Sequence, residues 1–378
     1  MARMRAARVG LLGAVCLLAA SAAAAQPPPA GGTAPAFAAD VERGAILKVM
    51  AAAAGWQMAH PSRHAPYDWT QAAYYTGMMA FARVTDDARY ASAMKAMGEA
   101  NQWRPGLRPG HADDYAVAAT YAQLYARDRD AKMIAPSRAL FDFLATRKSD
   151  EPLVWGQAIE MRELAWCDAL FMGPPAMAAM SAVTGDAKYL ELANRLWWKT
   201  TDYLYDPVDH LYYRDSRYFI QREPNGKKVF WSRGNGWVIA GLARMLDDMP
   251  PDFRERDRYV ALFREMAAAV LAAQSADGYW RSSLLDPDSR PNPETSGTGF
   301  FVYSLAWGVN HGLLDRATYE PAARRGWAAL VRAVRPDGML GWVQQIGAEP
   351  GSAGVDSTEV YGTGALLLAG SEMIRLAK

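Results

Sequence analysis

Along most of the chain apolar side chains recur every three to four residues, the period of a helix that buries one face, and only short runs alternate as strands do. The pattern predicts helices near 39–54, 70–83, 87–101, 113–126, 131–147, 165–182, 187–204, 235–248, 254–275, 297–313, 319–334 and 358–376, twelve in all. Two β-like runs, Leu211-Tyr212-Tyr213 and Val229-Phe230-Trp231, flank Asn225-Gly226 and suggest a small hairpin. An internal echo pairs the helices: Val84-Thr85-Asp86-Asp87-Ala88-Arg89-Tyr90 returns as Val183-Thr184-Gly185-Asp186-Ala187-Lys188-Tyr189, and Asp277-Gly278 returns as Asp337-Gly338. Helix pairs repeated at such spacings read as a toroid or a solenoid. With no chain left over, six hairpins closed into a single all-α domain, an (α/α)6 barrel, is the expected architecture; an open solenoid would show the same period.

The amino terminus departs from that pattern. Arg3, Arg5 and Arg8 precede the apolar run 9–20, and Ala23-Ala24-Ala25 precede Gln26, which predicts a secretory signal peptide over 1–25 and a periplasmic or secreted protein. The run is too short to span a bilayer. Cys16 follows Val15, where a lipoprotein signal would want a smaller residue, so no membrane anchor is expected. Residues 26–37 are a Pro/Ala/Gly linker that cannot build a core, leaving 38–378 as the folded domain.

Past the signal segment only Cys167 remains, so no internal disulfide can form, and a domain of this length must rest on its apolar core. A formal charge of +1 gives no field for a polyanion, and nucleic acid is not an expected partner. His60, His64, His111, His210 and His311 lack metal-ligand spacing, so neither a metal nor a cofactor is expected. A monomer or weak homo-oligomer is anticipated.

The chemistry-bearing residues gather at predicted helix starts. In Phe230-Trp231-Ser232-Arg233-Gly234-Asn235-Gly236-Trp237, Arg233 offers a planar donor fork that matches a carboxylate, and Trp231 and Trp237 offer faces for a pyranose. The same residues would also suit a plain helix N-terminus packed through its glycines. Asp168 lies among apolar neighbours in Trp166-Cys167-Asp168-Ala169-Leu170-Phe171-Met172-Gly173-Pro174-Pro175. Lost hydration would keep it protonated and make it a proton donor, whereas an N-cap role would lower its pKa. His111-Ala112-Asp113-Asp114 heads another apolar helix, and neighbours on a helix point about 100° apart, so one acid faces inward and one caps. Val117, Tyr121 and Leu124 continue the face of Asp114, which is therefore the expected inward acid. Tyr67-Asp68-Trp69, Trp280 in Asp277-Gly278-Tyr279-Trp280, and Thr295 and Ser296 in Glu294-Thr295-Ser296-Gly297-Thr298 repeat the join of polar and aromatic groups. Together they suggest one sugar-lined end of a barrel.

Taken in order, these motifs resemble glycoside hydrolase family 105, over roughly residues 45–376. The resemblance implies an (α/α)6 barrel without metal, acting as an unsaturated rhamnogalacturonyl or glucuronyl hydrolase and related in mechanism to family 88. Its substrate would be an oligosaccharide ending in a 4,5-unsaturated uronic acid. By resemblance Asp168 protonates C4 and activates the water that adds at C5, Asp114 orients the sugar, and Arg233 lies at the carboxylate. Asp113, His111 and the aromatic residues would contact substrate. Two departures stand out, because some members carry His where this chain has Tyr115 and His where it has Arg214-Asp215.

Three rivals fit less well. An (α/α)6 epimerase needs histidines as acid and base, and the five here form no such motif. A terpene cyclase would repeat the Gln274…Trp280 signature, found once, and would need an Asp-rich initiator. A non-catalytic glycan-binding module would have no use for Asp168 and Asp114.

Overall fold

The computed structural model describes residues 36–377. The expected signal peptide and all but the last two residues of the linker lie outside the described residues.

Six helices line the inside of a ring: α2 (Trp69–Val84), α4 (Ala118–Asp128), α7 (Pro174–Thr184), α9 (Ser232–Asp248), α11 (Thr295–Asn310) and α13 (Val360–Leu376). Six surround them: α1 (Arg43–Ala59), α3 (Arg89–Ala100), α5 (Ala135–Thr146), α8 (Ala187–Leu204), α10 (Arg256–Ala272) and α12 (Arg316–Ala333). Each inner helix packs on the next, and α13 returns to pack on α2, so the ring closes and the open solenoid is excluded. The seam depends on missing side chains. A Cβ on Gly77 would meet the Gly364 backbone, and one on Gly364 would meet Ala73. Small residues here let the two backbones touch. The inner helices bury nearly their whole circumference, α11 from Thr295 to Val309, which is what a central ring wrapped by a second ring requires.

The sequence echoes mark equivalent turns. Asp87 Oδ1 accepts the Arg89 N–H at 3.0 Å and Asp186 Oδ1 the Lys188 N–H at 3.2 Å, each at an inner-to-outer corner. Gly278 (φ +93°) and Gly338 (φ +97°) close matching turns after α10 and α12, where only glycine enters the left-handed region freely.

Three elements differ from expectation. The predicted helix 165–182 breaks into α6 (Ala169–Met172) and α7, because Pro174 and Pro175 offer no N–H to the preceding turn. The predicted start at 113 is a 3₁₀ turn, Ala112–Tyr115, set apart from α4. Finally Leu211–Tyr212 pairs antiparallel with Tyr205–Asp206 rather than across Asn225-Gly226; that turn, with Gly226 at φ +82°, joins only an isolated Arg222–Lys228 bridge.

All six inner helices run the same way. Short turns (85–88, 129–134, 185–186, 249–255, 311–315) leave their C-terminal ends, while the longer connections 60–68, 101–117, 147–168, 205–231, 273–294 and 334–359 gather at their N-terminal ends.

Candidate active site

The N-terminal mouth brings the predicted acids together. Asp168 sits at the head of α6 in helical conformation (φ −59°, ψ −31°), and its side chain caps no helix N–H. The Cys167 thiol donates to Oδ2 at 3.4 Å and the Arg214 Nε lies 3.7 Å from the same oxygen. Its side chain is 13% exposed. Burial raises its pKa, opposed by Arg214, by the Cys167 hydrogen bond and by Arg233.

The paired acids resolve opposite to the expectation. Asp114 is turned away from the cleft into the 104–110 loop, where it accepts the Arg108 main-chain N–H at 2.7 Å and the Arg108 Nε at 2.9 Å, and pairs with Nη2. It is a buried anchor, not the inward acid. Asp113, its side chain 18% exposed, is the one that senses Asp168. Burial first, then the charge of Asp168, pushes its carboxyl up to about 8 against the pull of Arg108 and Arg214. The face-counting argument fails because residues 112–115 wind as a 3₁₀ turn, about 120° per residue, so the phase of α4 does not extend back to them. Near neutrality Asp113 therefore keeps its proton in the field of Asp168.

His111 supports this turn. Its Nδ1 accepts the Asp113 N–H at 3.3 Å, so the ring's own proton sits on Nε2. Burial and the nearby Arg108 lower its pKa to about 4, which keeps it neutral. The ring tilts against Trp166 at 5.0 Å, and Trp166 meets Trp155 edge-on at 6.4 Å.

Arg233 also departs from its expected role. It is 0% exposed, and its fork donates to the Gln344 carbonyl at 2.6 Å and the Gln345 carbonyl at 3.0 Å. Trp231 and Tyr361 cover the guanidinium at 4.5 and 4.8 Å, and Trp231 Nε1 donates to Gln344 Oε1 at 3.0 Å. Arg233 and Trp231 therefore fasten the 342–346 segment to the head of α9, and the Arg233 Nε is left buried without a partner. A Cβ on Gly297 would strike Ser232 Oγ, so the heads of α9 and α11 meet directly.

Several other expected contacts lie beneath the mouth. Trp237 is fully buried between Phe171 (4.8 Å) and Phe300 (4.3 Å), and Trp280 is fully buried with Nε1 donating to the Val270 carbonyl at 2.6 Å. Thr295 Oγ1 donates to the Gly341 carbonyl at 2.8 Å and Ser296 Oγ to Glu294 Oε1 at 2.5 Å, within the cap of α11. These residues, with the buried Trp166, shape the site from below. Tyr67 and Trp69 remain half-buried, Trp69 stacking on Tyr361 at 5.3 Å.

Three groups at this mouth went unassigned in the sequence. Trp155 is half-buried on the 147–168 connection with Arg214 at 4.5 Å and Arg217 at 4.7 Å from its ring, and Trp342 is half-buried at φ +59° beside the head of α11. Arg214 drew notice only as a departure. The alternation Arg214-Asp215-Ser216-Arg217 is the local signal that an ion-paired corner lies there.

Comparison with known proteins decides the family. The family model described as Glycosyl Hydrolase Family 88 matches residues 46–377. The chain belongs to this family. It is accordingly a glycoside hydrolase. It is 41% identical over 85% of its length to an unsaturated 3S-rhamnoglycuronyl hydrolase of Formosa agariphila, covering 88% of that protein. A protein of the same name from Alteromonas sp. (strain LOR) is 39% identical, with 85% and 84% covered. Among solved structures, a family 88 glycosyl hydrolase from Bacteroides vulgatus superposes with TM-score 0.81 at 30% identity, covering 88% of this chain and 99% of that one. Another, named a polysaccharide lyase, also gives TM-score 0.81, at 34% identity, with 88% and 98% covered.

For a family 88 enzyme the N-terminal mouth has a fitting electrostatic frame. The inner helices present the positive ends of their dipoles there, which favours an anionic sugar. Among the described residues no group of three potential ligands could hold a metal, and no helix is long and apolar enough to cross a membrane.

Proposed function

We propose that this enzyme removes a 4,5-unsaturated uronic acid from the non-reducing end of a lyase-generated oligosaccharide, with an unsaturated 3S-rhamnoglycuronyl oligosaccharide as its substrate. The observation that carries the reading is Asp168, its side chain buried at the mouth beside Arg214 and free of cap bonds, with Asp113 in its field. The two relatives near 40% identity supply the substrate class.

Such a pair suits addition to an enol ether better than displacement at an anomeric carbon, where two carboxylates flank the scissile bond. Asp168 gives its proton to C4, and positive charge develops at C5 and the ring oxygen. Asp113 stands near that charge, in the role that the resemblance assigned to Asp114. Ionised Asp168 then takes a proton from the water that adds at C5, restoring the acid. The hemiketal opens and the neighbouring sugar leaves. The proton from Asp168 stays on C4 and water supplies its replacement, so the acid is restored and no cofactor enters the balance. Export to the periplasm or outside the cell is part of this reading, supported by the Arg-headed apolar segment before Gln26.

The test is the ultraviolet absorbance of a lyase-generated disaccharide. It should vanish on incubation with the enzyme in the presence of a chelator, while the saturated disaccharide survives. The polysaccharide lyase likeness favours one second reading, elimination, and the same assay separates it: a lyase would raise the absorbance of an intact uronate-containing polymer. A rise with polymer, or equal cleavage of both disaccharides, would overturn the proposed reaction.

A further inference from the structure

With the Arg233 side chain fully buried and two of its donors committed to carbonyls, the partly exposed cation beside Asp168 is Arg214. Its main chain is fixed beside them, since the Cys167 N–H donates to the Arg214 carbonyl at 2.9 Å. Its guanidinium is fixed as well. Nη1 donates to Asp215 Oδ2 at 2.7 Å, and one face lies over Trp155 at 4.5 Å. Asp215 is fully buried and held from the other side by Arg217, whose Nε and Nη2 donate to it at 2.9 and 2.8 Å. The Trp155 main chain is tied in turn to the same corner, its N–H donating to Ser216 Oγ at 2.9 Å. What is left over is the Arg214 Nε, buried, without a hydrogen-bond partner and 3.7 Å from Asp168 Oδ2; the side chain as a whole is 14% exposed.

A rigid cation beside a proton donor favours the ionised donor and so opposes the acid step. In the free enzyme the guanidinium already holds Asp215 on Nη1 at 2.7 Å, and Asp168 is the anion on its Nε side at 3.7 Å. A substrate carboxylate brings a further anion to that side, and it pairs with guanidinium better than a carboxylate held at 3.7 Å.

We propose that Arg214 receives the uronate carboxylate and that this contact loads the proton: the substrate replaces Asp168 as the counter-ion of Arg214, and the Asp113–Asp168 pair takes up a proton from solvent as substrate binds. The substrate thereby charges the acid that will attack it. An unsaturated sugar lacking the carboxylate leaves Asp168 facing Arg214, with its proton held less tightly, and is discriminated in turnover as well as in affinity. The other groups facing the pair do not supply this switch. Arg108 is committed to Asp114, Arg233 to main-chain carbonyls, and Asp68 to the N-cap of α2 through Thr70; His111 is neutral, and burial holds the Cys167 thiol protonated. The inference rests on the proposed uronate substrate.

Two measurements test it. Titration calorimetry of the wild-type enzyme with the saturated uronyl–rhamnose disaccharide, at pH 8 in buffers of different ionisation enthalpy, should show net proton uptake on binding. In the pH–rate profiles of the unsaturated disaccharide, the alkaline limb of kcat should lie at higher pH than that of kcat/KM, because one reports the complex and the other the free enzyme. Arg214→Gln should bring the two limbs together, abolish the uptake and raise KM roughly ten- to a hundredfold, the loss of a charged hydrogen bond. Arg214→Lys should keep the limbs apart. Melting temperatures near wild type for both variants exclude a folding defect, and the wild-type uptake decides alone if Arg214→Gln does not fold. Turnover by the wild type with no proton uptake, or wild-type uptake persisting in Arg214→Gln, overturns this inference and leaves the reaction standing. No turnover of any unsaturated disaccharide overturns the reaction itself.

Discussion

At the mouth where the inner helices begin, Asp113 and Asp168 share a field with Arg108 and Arg214; at the mouth where they end, Asp247 and Asp248 share one with Arg83 and Arg244. Burial raises the carboxyl pKa at both, and Asp248 is pushed up to about 6 by burial and by Asp247. The second mouth even encloses a cavity of about 290 Å³, lined among others by Arg83, Arg244, Arg375, Asp247, Asp248 and Glu372. A perturbed carboxylate pair in a cavity is therefore not enough to mark the active site in this molecule. The difference lies in what surrounds the pairs. Around the C-terminal cavity three cations face three acids, and several are committed: Asp247 accepts from Trp307 at 2.9 Å, Glu372 from Asn310 at 2.9 Å, and Arg244 donates to the Phe171 carbonyl at 3.2 Å. The carbonyl ends of the helix dipoles also disfavour an anion there. At the N-terminal mouth the dipoles have the opposite sign, and the long connections supply Trp155, Arg214 and Trp342.

Substitution of Asp168 is the most severe test of the contrast. Asp168→Asn keeps shape but removes the transferable proton, and kcat should fall by the ~10²–10⁴-fold ascribed to general acid–base catalysis, with the melting temperature unchanged within a few degrees. Asp113→Asn should fall in the same range. Asp248→Asn, the matching change at the other mouth, should leave kcat as it is; a hundredfold loss there would erase the distinction between the mouths.

The pH profile sharpens the comparison further. A carboxyl whose pKa is raised in the folded protein binds its proton more tightly there than in the unfolded chain. The associated stability is full below the unfolded pKa and is lost as pH rises through the folded one. For Asp113 that window ends near 8 and for Asp248 near 6. Turnover should therefore decline as pH rises past about 8, and Asp248→Asn should not displace that limb. A limb near 6 that moves with Asp248→Asn would place the functional proton at the wrong mouth.

Smaller effects separate the framework of the mouth from its chemistry. Arg233→Lys keeps the charge but cannot serve both the Gln344 and Gln345 carbonyls, and should destabilise the fold by about 1–3 kcal/mol, read by denaturant unfolding. An effect on KM alone, with stability intact, would return Arg233 to the carboxylate-binding role. Asp114→Asn should likewise cost about 1–3 kcal/mol through its contacts to Arg108 while leaving kcat within a few-fold. At the ring seam, away from both pairs, Gly77→Ala should cost roughly 1–3 kcal/mol by overpacking against Gly364, with no change in the pH limb.

The helical period, the Asp caps at Asp87 and Asp186, the repeated Asp-Gly turns and the isolation of Asp168 among apolar residues were legible from the chain alone, because each is a local relation among residues a few positions apart. The break at Pro174 was legible too, as the missing N–H is a property of the residue, though only the structure separates α6 from α7. Closure of the ring was not legible, since helices read one at a time carry no record that α13 will meet α2 through Gly364 and Gly77. Nor was the choice between Asp113 and Asp114. It turned on a 3₁₀ winding and on Arg108, a long side chain in a loop whose reach no helical wheel describes. Arg233 promised a free fork until the Gln344 and Gln345 carbonyls, more than a hundred residues later, occupied it. Sequence determined which groups stand at the heads of the inner helices, because caps and periodicity act over one turn. Tertiary structure alone decided which of those groups keep a free hydrogen bond for a ligand, because a buried donor or acceptor takes whichever partner the fold brings nearest and a few are left without one.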